Sequence, residues 1–216
     1  MVKKYAASNL VYGQMYADFF VNNHLKSLLD PTNIASIKAD GVDMYYLLFT
    51  DDETFNSMQR HPQFIAFSRA VKLDVVKVNW PPDVERFGLR YTILTEMFHK
   101  TLVKALELGT DYMSVWVADL VFAKHCLPRL VSRMDEGHDA VFNVPIRGAA
   151  DAINPHLNKM DGAPTDMQLF ELAYQSLHHL WTHSHWNNPL FTRMPYSMLW
   201  NSGTGLVAHN FGIPRS

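Results

Sequence analysis

Between Asp111 and Asp119 the chain reads Asp-Tyr-Met-Ser-Val-Trp-Val-Ala-Asp. The centre of this stretch, Met113 to Val117, is apolar and partly β-branched, the composition of a strand buried on both faces. The run closes on Asp119. In open α/β sheets ligands bind outside the carboxyl ends of the strands, so Asp119 reads as a ligand-facing acid. The competing reading makes it only a cap for the next segment, Leu120–Leu130.

The rest of the chain supplies a matching frame. Lys4–Val11 reads as a first strand, broken by Tyr12 and Gly13; glycine there allows a tight turn or a close approach to a ligand. Gln14–Leu29 carries a helical apolar stripe interrupted by Asn22, Asn23 and His24. Asp30-Pro31 ends it, because the residue before proline is pushed out of the α region. Met44–Thr50 is a continuous apolar run and a clear second strand. Asp51, Asp52 and Glu53 follow. They suit a helix start by capping and by the helix dipole, and Asp51 equally suits a ligand contact at a strand end.

Phe64–Val71 reads as a helix and Val75–Trp80 as a strand stopped by Pro81-Pro82. Arg90–Leu108 has the most regular helical spacing, with Tyr91, Leu94, Met97, Phe98, Leu102, Ala105 and Leu108 on its stripe, and Gly109 ends it. Arg90 at its start is placed to face the ligand crevice. A short helix is expected near Pro128, and a strand over Ala140–Ile146. Strands alternating with helices predict an α/β fold: a Rossmann-like, mostly parallel sheet with helices on both faces. Right-handed crossovers would then bring Gly13, Asp51 and Asp119 to one edge.

After Arg147 the texture changes. Gly148–Pro164 reads as a loop or lid. Thr165-x-x-Gln168 is a capping-box pattern opening a helix over Asp166–Trp181. His178, His179, His183 and His185 follow. The i, i+4 pair His179 and His183 has the spacing of a zinc site, but no Glu lies between them and Cys126 has no partner cysteine, which favours a polar helix end. A short strand over Leu206–Ala208 leads to His209.

The 216 residues are enough for one substantial domain, 1–216, with 148–216 as a lid or acceptor-side segment within it. A formal net charge of -2 provides no global basic field for nucleic acid. A single cysteine fits a reducing compartment, and no apolar run approaches the ~20 residues of a membrane span. The lysines near the N-terminus precede no long apolar stretch, so no signal peptide is expected. A cytoplasmic protein is the expectation; peripheral membrane contact and a homo-oligomer stay open. The sequence contains no Gly-x-Gly-x-x-Gly, no Walker loop and no Gly-x-Ser-x-Gly elbow.

Taken together, Tyr12-Gly13, the segment Phe20 to Ile34, Tyr46–Asp52, the helix from Arg90 through Ala105, Trp116-Val-Ala-Asp119-Leu-Val-Phe, Gly137 and Ala140-Val141 resemble bacterial nucleotide-sugar glycosyltransferases of the GT-A fold. The order and spacing agree over residues 5 to 147. The resemblance implies a nucleotide-diphosphate-sugar donor at the strand ends, near Tyr12, Gly13, Asp51, Arg90 and Asp119, and a glycan or other acceptor. It implies Mn²⁺ or Mg²⁺ bound through an Asp-x-Asp motif. The matching triplet, Val117-Ala118-Asp119, keeps the second acid and has Val117 in place of the first. By the same resemblance Asp119 and His209 are the metal ligands, and Asp51 contacts the nucleoside. The catalytic base is unassigned, with Asp151, Asp161 and Asp166 as candidates near the acceptor side. The chain is short for a complete enzyme of this kind, which suits one domain of a longer protein.

The missing first acid leaves a second expectation open, a catalytically inactive GT-A-like module for binding or assembly. A nucleotidyltransferase is disfavoured, because Asn9-Leu-Val-Tyr-Gly13 has neither a glycine-rich loop nor a basic residue.

Overall fold

The structure is a computed structural model, which describes residues 2–80, 89–141, 146–183, 189, 197–201 and 206–210. It divides into two compact units, residues 1–141 with 161–164, and residues 142–160 with 165–216.

The first unit is built on four parallel strands: β1 (Lys3–Leu10), β2 (Val42–Thr50), β3 (Lys72–Lys77) and β4 (Tyr112–Val117), in the order β3-β2-β1-β4. Helices connect them. Between β1 and β2 run α1 (Gln14–Phe19), a π-helical stretch Phe20–His24, α2 (Leu25–Leu28), a second π-helical stretch Pro31–Ala35 and α3 (Ser36–Ala39). Between β2 and β3 lie α4 (Asp52–Met58) and α5 (Pro62–Ala70). α6 (Leu89–Leu108) precedes β4, and α7 (Cys126–Asp135) follows it.

Side-chain alternation along the strands loads both faces. Tyr5 and Ala7 of β1, with Tyr46 and Leu48 of β2, point into a large core with Phe20, Leu25, Leu28, Phe67, Trp116 and Leu127. Leu47 and Phe49 point the other way, onto Met97 and Leu94 of α6. Thr101 of α6 is turned inward as well and donates to Ser8 Oγ at 2.8 Å. Phe98 and Leu102, expected on the inner stripe of α6, face outward. The fold is therefore α/β and Rossmann-like, a parallel sheet with helices on both faces.

Three local expectations need correction. The third strand runs three residues earlier than Val75–Trp80, because it is a half-covered edge strand that begins on the exposed, charged Lys72 and Asp74. The stretch 148–164 is not simply a loop: it contains α8 (Ala150–Lys159), whose Ile153 and Leu157 give an i, i+4 apolar pair despite Pro155. α9 (Asp166–Gln175) opens with the expected Thr165–Gln168 capping box but stops before Trp181. There the backbone changes partners: Ser176 O accepts from Ala149 N–H at 2.6 Å, and His178 N–H donates to Arg147 O at 2.9 Å. A short α10 (His179–Thr182) follows, and β5 (Ser197–Asn201) pairs antiparallel with β6 (Leu206–Asn210). These elements, α8 to β6, belong to the second unit. Residues 142–145 of the expected strand Ala140–Ile146 lie outside the described residues. Among the described residues no helix is long and apolar enough to cross a membrane.

Candidate functional site

Because the sheet is all parallel, its four carboxyl ends share one edge. Leu10 is in register with Phe49 on one side and Val117 on the other, and Thr50 with Lys77. Gly13, Asp51 and Asp119 lie three, one and two residues beyond these strands, so the topology brings them to the same edge.

Gly13 and Asp51 are joined through a residue that the sequence reading passed over. Thr54 Oγ1 accepts from the Gly13 N–H at 2.9 Å and donates to Asp51 Oδ2 at 3.0 Å. Its own N–H donates to Asp51 Oδ1 at 2.7 Å. Asp51 is thus the N-cap of α4, and its two oxygens keep further lone pairs for a ligand. Gly13 has φ of 80° and ψ of 157°, a region open almost only to glycine, which aims its N–H at Thr54. Asp52 is engaged by Lys77 at 2.9 Å. Tyr12, after β1, meets Trp80, after β3, with ring centroids 4.1 Å apart.

Asp119 lies in a turn after β4, closed by Leu120 N–H donating to Val117 O at 3.2 Å, and is exposed. Among the described residues nothing pairs with its carboxylate. Val117, where the Asp-x-Asp pattern has its first acid, is 52% exposed. Arg90 lies in the first turn of α6, but its side chain is outside the described residues. His209 lies on β6, opposite Met198, in the second unit; its side chain is likewise outside them.

The loop carrying Asp119 is held from inside by the chain between β1 and β2. His24 Nδ1–H donates to Leu120 O at 2.8 Å. A carbonyl can only accept, so the proton sits on Nδ1, and Nε2 accepts from the Asn9 amide and the Tyr46 hydroxyl, each at 3.3 Å. Burial pushes the His24 pKa down to about 3, against the opposing pull of the Leu120 bond. Phe122 N–H donates to Ser27 Oγ at 3.1 Å. Asn33 donates to Ala123 O at 3.1 Å and accepts from Leu127 N–H at 3.1 Å. Thr32 Oγ1 accepts from His125 N–H at 3.2 Å and donates to Asp30 Oδ1 at 2.6 Å. Asp30 Oδ2 accepts from Ala163 N–H at 2.9 Å. Burial alone would raise the Asp30 pKa; the bonds from Thr32 and Ala163 outweigh it and hold the carboxyl below its ordinary range. Gly162 fits here because a Cβ would meet Asp30 Oδ2 at 2.5 Å.

Among the described residues no group of three or more His, Cys, Asp or Glu could hold a metal ion. The hard oxygen that Asp119 offers still fits a cation such as Mg²⁺, which is bound by one or two carboxylates with substrate phosphates and water completing the shell. Of the other candidates, Asp151 and Asp166 lie in the first turns of α8 and α9, where a carboxylate suits the helix dipole. Asp161 is near enough to Lys26 to oppose the lowering of its pKa by burial. The His178 and His179 rings are 4.0 Å apart.

Comparison with models of protein families, with curated proteins and with solved structures finds no match.

Proposed function

We propose that this carboxyl edge binds a nucleotide-diphosphate sugar and transfers the sugar to an acceptor, as a GT-A-like glycosyltransferase does. One observation carries the reading: Gly13, Asp51 and Asp119, far apart in sequence, follow strands that end at a common edge. Gly13 and Asp51 are tied by Thr54, and Asp119 presents an exposed carboxylate. Parallel α/β sheets bind ligands at this edge.

In this reading Asp51, already oriented by Thr54, accepts hydrogen bonds from ribose hydroxyls with its remaining lone pairs. Gly13 lets the backbone approach the nucleotide without a side chain in the way. Asp119 would hold Mn²⁺ or Mg²⁺ together with the donor's phosphate oxygens and water. Such a cation, when bound, neutralises charge growing on the leaving diphosphate. The His24 and Asn33 bonds fix the loop in advance, so that little of the binding energy goes into ordering it.

A thermal-shift screen of UDP-, GDP- and CMP-sugars with Mn²⁺ tests the reading. A ligand at about 100 times its Kd stabilises by about 2.7 kcal/mol, which is several degrees of Tm for a chain of this size. One donor class is expected to give that shift, and Asp119→Ala to lose most of it. No shift with any nucleotide, and an Asp119→Ala variant indistinguishable from the parent, would overturn it.

The exposed Val117 supports a second reading, a module that binds the nucleotide without transferring the sugar. A nucleotide-dependent Tm shift with no release of nucleoside diphosphate from any donor, alone or with acceptors, would select it.

A further inference from the structure

We infer that Trp80 is a ligand-binding residue of the proposed nucleotide site: with Tyr12 it forms an aromatic platform, at the carboxyl end of β2, that stacks the nucleobase. This rests on the nucleotide-binding reading and adds to it the residue that recognises the base.

Tyr12 follows β1 and Trp80 follows β3, and β2 lies between those strands. Neighbouring strands are about 4.8 Å apart, so backbones on either side of a third strand are roughly 10 Å apart. Both segments stay alongside β2 at its end. Val11 N–H donates to Phe49 O at 3.0 Å, and Val78 N–H donates to Thr50 O at 2.9 Å. The two rings nevertheless meet, with centroids at 4.1 Å and planes at 36°. Each side chain therefore leans in from its own side toward the end of β2, where Asp51 follows.

Packing among the described residues does not account for the pair. Neither ring belongs to the hydrophobic cluster on either face of the sheet, and Tyr12 is 38% exposed. The Trp80 indole N–H is buried without an acceptor among the described residues, a donor that a base carbonyl or ring nitrogen can satisfy. The outward π-face that the exposed Tyr12 leaves open, an unused donor and a carboxylate capable of holding a ribose together suit a nucleoside. Stacking of this kind is tolerant of base identity, so the platform sets affinity, and the choice among bases falls to polar contacts at its rim.

The test is calorimetric titration of UDP and GDP, with Mn²⁺ present, into the parent and the Trp80→Ala, Trp80→Phe and Asp51→Asn variants, alongside tryptophan fluorescence. Trp80→Ala is expected to weaken binding on the order of tenfold to a hundredfold. Trp80→Phe, which keeps a π-face, is expected to retain most of the affinity while losing the quenching that nucleotide causes in the parent. Binding weakened by Asp51→Asn but unchanged in Trp80→Ala, or quenching that persists in Trp80→Phe, would overturn the platform and leave the nucleotide site standing. A parent protein that binds neither nucleotide would bring down both. Should Trp80→Ala fail to fold, the Phe variant decides: affinity kept with quenching lost supports the platform, and any other pairing overturns it.

Discussion

His24 illustrates how a single side chain acquires a fixed chemical state from its surroundings. It is wholly buried against Phe20, Trp116 and Phe122, and its two nitrogens have opposite roles, one donating to Leu120 and the other accepting. The folded protein keeps it neutral down to about pH 3, whereas the unfolded chain protonates it near pH 6.5. The stability it contributes is therefore complete above about pH 6.5 and declines as the pH falls toward 3, at about 1.4 kcal/mol per unit. Between pH 7 and pH 5 the loss through His24 is about 2 kcal/mol, measurable by urea unfolding at the two pH values. A His24→Gln variant is expected to be less stable at pH 7 yet to show a flatter dependence; the same slope as the parent would contradict this. Asp30 adds a second loss at lower pH, since its depressed pKa stabilises the fold only while the carboxyl is ionised. Thr54 belongs to the same scale. Its hydroxyl accepts from Gly13 and donates to Asp51 at once, which valine cannot do, so Thr54→Val is expected to cost about 1–3 kcal/mol and Thr54→Ser much less.

At the scale of elements, the chain from Phe20 to Ala35 serves as an internal clamp for the loop after β4. Its π-helical stretches carry the buried polar groups of His24 and Asn33, and α2 between them carries Ser27; all three bond backbone groups of residues 120–127. Asn33→Ala would strand the Leu127 N–H and the Ala123 carbonyl, at about 2–3 kcal/mol in all. Hydrogen exchange is expected to accelerate at Phe122 and Leu127 in that variant, with little change in α6. Uniform acceleration across the sheet would instead mean that the clamp is only a part of the global core.

The same clamp shows where sequence reasoning stopped. Asn22, Asn23 and His24 registered only as breaks in an apolar stripe, because periodicity records where polar residues fall and not what they bond. β2 was legible as a continuous apolar run; β4 was legible as a strand, but it is an edge strand with Met113 and Val117 exposed, not one buried on both faces. The edge strand β3 was misplaced because Val75 to Trp80 is its most apolar-looking neighbourhood, while pairing with β2 begins at Lys72. Pro155 hid α8. Asp51 was readable both as a cap and as a site residue, and the structure gives it the cap; Thr54, which joins it to Gly13, left no mark beyond being the third residue of a helix.

The first unit is a parallel sheet with helices on both faces, and loops from several strands meet at its carboxyl edge. The sequence pattern foretold that convergence through the alternation of strands and helices, and the sheet order β3-β2-β1-β4 sets which loops are neighbours. The loops after β1 and β2 lie side by side, as do those after β1 and β4. A ligand long enough to touch Asp51, Gly13 and Asp119 must run across three adjacent strand ends, roughly 10 Å in all, a span that suits a nucleoside diphosphate. Crystals soaked with UDP and Mn²⁺ test this directly. The account predicts density for the uridine beside Tyr12 and Asp51, with the diphosphate reaching toward Asp119. Nucleotide bound anywhere else on the protein, or an edge left empty at saturating UDP while binding is demonstrated in solution, would contradict it.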